Sequence, residues 1–181
     1  HVSTLVPRAC GIATFTRDLA LALERGGVVA RNLFVAVEED GVRREYDFPP
    51  ITMVWQNDQS SYDDAADVVN RSDADFVHLQ HEYGIYGGDW GDYVLRFAEA
   101  VEKPWVVTFH TVMRNPPEGA VKVLQGLASL ADAIVATVAP ARDLLFKIYD
   151  VPKAKIRVIP HGSPESRTGQ NEGAKVALGL Q

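Results

Sequence analysis

Cysteine is nearly absent: Cys10 stands alone among 181 residues, so no internal disulfide can form, and the usage suits a reducing compartment. Long apolar runs are absent too. None approaches the ~20 residues that span a bilayer, and no signal-peptide pattern opens the chain. Positive charge is scarce, with 18 Lys and Arg against 24 Asp and Glu and a formal net charge of −6. That balance disfavours generic binding of nucleic-acid phosphates. Low complexity is missing as well: 46% hydrophobic and 23% charged residues do not describe a disordered chain. What remains is a soluble, cytoplasmic globular domain, long enough to bury a sizeable core.

Short β-rich runs alternate with helical patterns. The runs cover 32–37, 51–55, 76–80, 105–109, 133–137 and 156–159, several apolar at consecutive positions, as in strands buried on both faces of a parallel sheet. Ile12, Phe15, Leu19 and Leu23 form one helical stripe, ended by Gly26-Gly27. Trp90, Val94, Phe97 and Val101 form another. Pro117 suits the first turn of a third helix, and Asp143 to Tyr149 belongs to a fourth. The Asp-rich span 58–75 reads as a solvated helix face. Alternation of this kind predicts an α/β fold, a Rossmann-like doubly wound parallel sheet with helices on both faces. One domain is expected over residues 1–164, its first strand truncated at His1, and 165–181 reads as a linker leading to a further domain.

Ligands of open α/β sheets bind outside the carboxyl ends of the strands. The segments there are Val6 to Gly11, His81 to Gly88, His110 to Pro117, and Pro160-His161-Gly162. Three of the five histidines fall on that edge. Cys10-Gly11 reads either as a tight turn or as an anion-binding helix N-terminus; it matches neither the dinucleotide nor the P-loop glycine pattern. His78 alternates within a strand and reads as a hydrogen-bonded core histidine. His81, Glu82 and His110 lack the close spacing of a metal site. Tyr83, Gly84, Tyr86, Gly87 and Gly88 read either as a sugar-stacking loop or as a structural turn.

Taken in order, Arg8-Ala-Cys-Gly-Ile-Ala-Thr-Phe-Thr-Arg-Asp-Leu19, Val77-His-Leu-Gln-His-Glu-Tyr-Gly84, Val106-Val-Thr-Phe-His-Thr111, Ala131-Asp-Ala-Ile-Val135, Ala141-Arg-Asp-Leu-Leu145 and the Val151 to Gly162 segment ending Ile-Pro-His-Gly resemble the N-terminal half of a retaining GT-B glycosyltransferase of the "glycosyl transferases group 1" family. The resemblance covers nearly the whole chain.

It implies two Rossmann-like domains facing a cleft, this one on the acceptor side, with a nucleoside-diphosphate sugar held mainly by the other. Gly11 matches the first-loop glycine whose backbone approaches phosphate, beside Cys10. His110 matches the catalytic histidine near the donor sugar. His81, Glu82 and Tyr83 match a loop facing the acceptor, and His161-Gly162 the crossing to the partner domain. No cofactor and no metal are implied. Cys10 replaces a common glycine, Asp150 precedes Val-Pro where glycine is usual, and Ser163-Pro-Glu165 replaces the usual Val-Asp. The family's donor-side glutamate pair, separated by seven residues, is not found, so the donor half is expected outside this chain and the chain alone is expected to be inactive. Nine carboxylates over residues 58–92 against Arg71 would repel anionic lipid and favour a soluble carbohydrate or other hydroxyl acceptor. Two other readings stay open: a non-catalytic sugar- or nucleotide-binding module, and a fragment of a GT-B sugar-nucleotide epimerase.

Overall fold

The computed structural model describes residues 1–162; the expected linker at 165–181 lies outside them. Seven strands form one all-parallel sheet: β1 (Val2–Ser3), β2 (Val35–Glu38), β3 (Thr52–Trp55), β4 (Val77–His81), β5 (Trp105–Phe109), β6 (Ala133–Ala136) and β7 (Ile156–Val158). Their spatial order is β3-β2-β1-β4-β5-β6-β7. Five helices accompany them: α1 (Gly11–Arg25), α2 (Gln59–Arg71), α3 (Val94–Ala100), α4 (Glu118–Leu130) and α5 (Ala139–Ile148). No helix of the described residues is long and apolar enough to cross a membrane.

Side chains along β2 show why its run is apolar throughout. Val35 and Val37 join the main core with α2 and α4, whereas Phe34 and Ala36 face the other way, onto Leu5 and Ala20. Period-two alternation therefore buries both faces of the strand.

Two local expectations change. On α1 the buried positions are Ala13, Thr16 and Ala20, not the larger residues of the expected stripe. Small side chains let the helix lie close to β1, where Ser3 and Thr16 hydroxyls meet at 2.7 Å. Ile12, Phe15, Leu19 and Leu23 are left half-exposed beside that contact. Trp90 lies outside α3, in a 3-10 turn at φ 57, and its indole covers Gly119, where a Cβ would meet it at 2.6 Å. The acidic span is α2, started by Asp58, which accepts from the Ser60 N–H at 3.0 Å.

Parallel strands usually need a helical crossover, but β2 reaches β3 through a loop covering 39–51. Buried Glu38 anchors it, accepting from Arg44 Nε at 2.6 Å and the Tyr46 hydroxyl at 3.0 Å. Burial alone would raise the Glu38 carboxyl, but the Glu39 N–H, Arg44 and Tyr46 together hold it below its ordinary value.

The chain leaves β1 towards β2 on one side and returns to β4 on the other. The order reverses at β1 and β4, the point where open sheets of this kind form their ligand crevice.

Candidate active site

At the carboxyl end of β1, residues 4–10 turn into α1. Cys10 occupies the N-cap without a side-chain capping bond, its thiol lying by the Ile12 and Ala13 N–H groups, and the turn at Gly11 presents the positive end of the helix dipole. Gly11 is exposed, and a Cβ there would meet nothing within 4 Å. Burial would raise the Cys10 thiol, but the Thr4 hydroxyl at 3.4 Å and the nearby Ala13 and Ile12 N–H groups hold it below its usual range. Arg8 is drawn away from that turn, onto the Val37 carbonyl at 3.3 Å and Glu39 at 3.2 Å.

His110 follows β5 directly. Its backbone N–H donates to the His81 carbonyl at 3.1 Å, continuing the β4–β5 ladder by one bond. Nε2 lies 2.9 Å from Gln80 Oε1. The ring meets the edge of Phe15 at 4.9 Å between centroids and stands 5.7 Å from the His161 ring. Phe15 also packs edge-on against His161 at 4.9 Å. So α1, the end of β5 and the segment after β7 converge on one small region. Burial, then the neighbouring His161, lowers the His110 imidazole to about 4. The ring is neutral at neutral pH and interacts through hydrogen bonds, not through charge.

Both oxygens of Glu82 are engaged in bracing that segment. Oε2 accepts from Thr111 Oγ1 at 2.6 Å and Oε1 from the Tyr83 N–H at 3.0 Å. Tyr149, buried at the end of α5, donates its hydroxyl to the Met113 carbonyl and accepts from the Met113 N–H, both at 3.1 Å. The backbone after His110 is thereby held from two sides.

The other expected residues divide. His161 and Gly162 are exposed at the carboxyl edge. His81 is fully buried, its ring packed on Tyr83, Tyr86 and Phe109, with both nitrogens unpartnered among the described residues. Because β4 directs alternate residues inward, the His81 ring lies in the core and away from the edge. Burial pushes it down to about 3. Tyr83 and Tyr86 are 7% and 3% exposed, and the Tyr86 hydroxyl donates to the Gln80 carbonyl at 2.8 Å. These rings fill the core, so neither is a stacking platform. His81, Glu82 and His110 do not converge, and no group of three or more His, Cys, Asp or Glu among the described residues is placed to hold a metal ion.

Sequence reasoning passed over Gln80 and Thr108. The signal was available: a glutamine and a threonine interrupt runs that are otherwise apolar and buried. A polar residue at such a position needs a partner. Thr108 meets His78 at 2.7 Å; His78 is hydrogen-bonded as expected, but it is half-buried and lines a concavity instead of lying in the core.

A separate concavity of about 430 Å³ opens at the amino ends of the strands, lined by His1, Leu23, Val28, Ile51, Phe76 and others. The carboxyl edge is the better site, because the reversal of strand order, an open helix N-terminus and braced polar groups coincide there.

The sequence pattern of Glycosyltransferase Family 4 matches residues 9–167. No curated protein matches the chain by sequence. Among solved structures it is similar to a glycosyltransferase from Rickettsia africae, at 16% identity and a TM-score of 0.63, over 99% of this chain and 49% of that one. The chain thus spans about half the length of that structure.

Proposed function

Because the chain belongs to Glycosyltransferase Family 4, we propose that it forms the acceptor-side half of a two-lobed retaining glycosyltransferase of the cytoplasm. The enzyme moves a sugar from a nucleoside diphosphate to an acceptor hydroxyl, and most of the donor diphosphate site lies in a second lobe. Residues 1–164 make the acceptor domain, 165–181 lead towards that lobe, and the chain alone does not turn over.

The observation that carries this reading is the position of His110. It stands at the carboxyl edge beside the reversal point, its ring fixed by Gln80 and by Phe15 of α1. Phe15 lies one helical turn beyond Gly11, so the N-terminal turn of α1 and the imidazole border the same opening. In the transition state the bond from the anomeric carbon to the diphosphate oxygen breaks, the sugar gains oxocarbenium character and the leaving group gains negative charge. The N-terminus of α1 suits the phosphate side. The neutral His110 ring suits the sugar side, where an uncharged acceptor does not oppose developing positive charge. His161 and Gly162 flank the opening from β7.

The test is the anomeric configuration of the product made by the protein that carries this chain together with its second lobe, read by proton NMR. Retention is expected. Inversion overturns the retaining reading, and sugar binding without any transfer overturns the enzymatic one.

A further inference from the structure

Four polar side chains run in one row across β4 and β5. Thr108 Oγ1 lies 2.7 Å from His78 Nε2, His78 Nε2 lies 3.1 Å from Gln80 Nε2, and Gln80 Oε1 lies 2.9 Å from His110 Nε2. Gln80 is 0% and Thr108 1% exposed. Apolar residues would fill this space without needing partners, so the row is not explained by packing.

The protons can be placed from the partners alone. With the Gln80 oxygen towards His110, His110 Nε2–H donates to it, while the Gln80 N–H and the Thr108 hydroxyl share the lone pair of His78 Nε2. The Thr108 hydroxyl, one Gln80 N–H and His110 Nε2–H then each have an acceptor. With the amide reversed, His78 Nε2 must carry the proton, and the buried Thr108 hydroxyl proton has no acceptor among the described residues. A buried unpaired donor is disfavoured. The first arrangement therefore holds, and it leaves Nδ1 of His110 as the bare nitrogen. Nδ1 makes no hydrogen bond among the described residues, yet it is not one of the buried unpartnered atoms, so it meets the open edge.

We propose that Gln80 is the positioning residue of the site: its carboxamide oxygen fixes His110 as the Nε2–H tautomer and presents the Nδ1 lone pair to a hydroxyl of the bound sugar. A lone pair there accepts from a hydroxyl and repels a phosphate oxygen. It thus separates the sugar from its diphosphate, which is directed to the N-terminus of α1. The sugar half of this statement rests on the function proposed above; the tautomer half does not.

Long-range proton–nitrogen NMR of the chain at pH 7, with no sugar present, tests it. The wild type is expected to show His110 protonated at Nε2 and bare at Nδ1, with a slowly exchanging Nε2–H. Gln80→Leu is expected to lose that resonance to solvent exchange. Gln80→Glu keeps the same tautomer, and a carboxylate at hydrogen-bond distance raises the His110 midpoint by about one to three pH units. The titratable groups facing this pair are His78, which also contacts Gln80, and His161, whose ring stands 5.7 Å from His110. A wild-type ring protonated at Nδ1, an unchanged Nε2–H in Gln80→Leu, or an unmoved midpoint in Gln80→Glu would each overturn the proposal. If Gln80→Leu does not fold, the wild-type spectrum and Gln80→Glu decide. Because no sugar enters the experiment, failure of the transferase reading leaves its outcome unaffected.

Discussion

Phe15 meets His110 edge to face, at 83° and 4.9 Å between ring centroids. That contact joins the helix whose N-terminus is open for an anion to the strand end that carries the imidazole. It also explains why Phe15 is only half buried: its ring serves the edge of the sheet, and Ala13, Thr16 and Ala20 make the contact with the core.

The glycines provide a contrast between stability and function. A Cβ at Gly87 would collide with the Gln56 carbonyl and come within 2.9 Å of Tyr93. A Cβ at Gly11 would meet nothing. Gly87→Ala should therefore cost about 1–3 kcal/mol by overpacking. Gly11→Ala should leave the melting temperature unchanged or slightly raised, since alanine is the better helix former. Under the proposed function Gly11→Val should nevertheless lower transfer at least tenfold by crowding the phosphate. Melting curves and turnover of both variants check this, and an active Gly11→Val enzyme would remove the anion role from that helix.

Acid should unfold the chain early. Burial, the largest cause in each case, holds His78 to about 4, His81 to about 3 and His110 to about 4, against an ordinary 6.5. The folded chain keeps these rings neutral, while the unfolded chain protonates them below pH 6.5. Stability is thus fully present above pH 6.5 and is lost as pH falls towards 4. The slope approaches one proton per histidine, each on the order of 1.4 kcal/mol per pH unit. Denaturant melts at pH 7, 6 and 5 should show increasing losses, and equal stability at pH 5 and 7 would contradict the burial of these rings.

His81 allows a sharper version. Both of its nitrogens are buried without partners among the described residues, which costs about 1–3 kcal/mol. His81→Leu should be neutral or stabilising at pH 7, and it should flatten the acid slope by about one proton. Calorimetry at two pH values measures both effects. A large loss of stability at pH 7 would mean that the ring has a partner after all.

Much of this was legible in the chain. The strand at 105–109 is where its apolar run predicts it, and β4, β6 and β7 shift by a residue or so at their ends. Hydrophobic patterning is strong where both faces are buried. It misled at α1, because close packing on β1 selects small residues, and period alone cannot tell a core stripe from one that faces a cleft. His110 was legible from the strand that precedes it. His81 and Tyr83 were harder to place, since the sequence does not say which way a side chain turns at the end of a strand. Gln80 was overlooked because a single polar residue in an apolar run carries little weight until its neighbours are known.

His110 carries the proposed function, and one substitution measured two ways tests it. In the protein that carries this chain with its second lobe, His110→Ala should lower kcat about 10²–10³-fold, the usual effect of losing one preorganised contact at a reacting centre. The melting temperature should stay within a few degrees, because Glu82 and Tyr149 still hold the segment after it. A destabilised variant with nearly intact turnover would make His110 a structural residue and contradict the account.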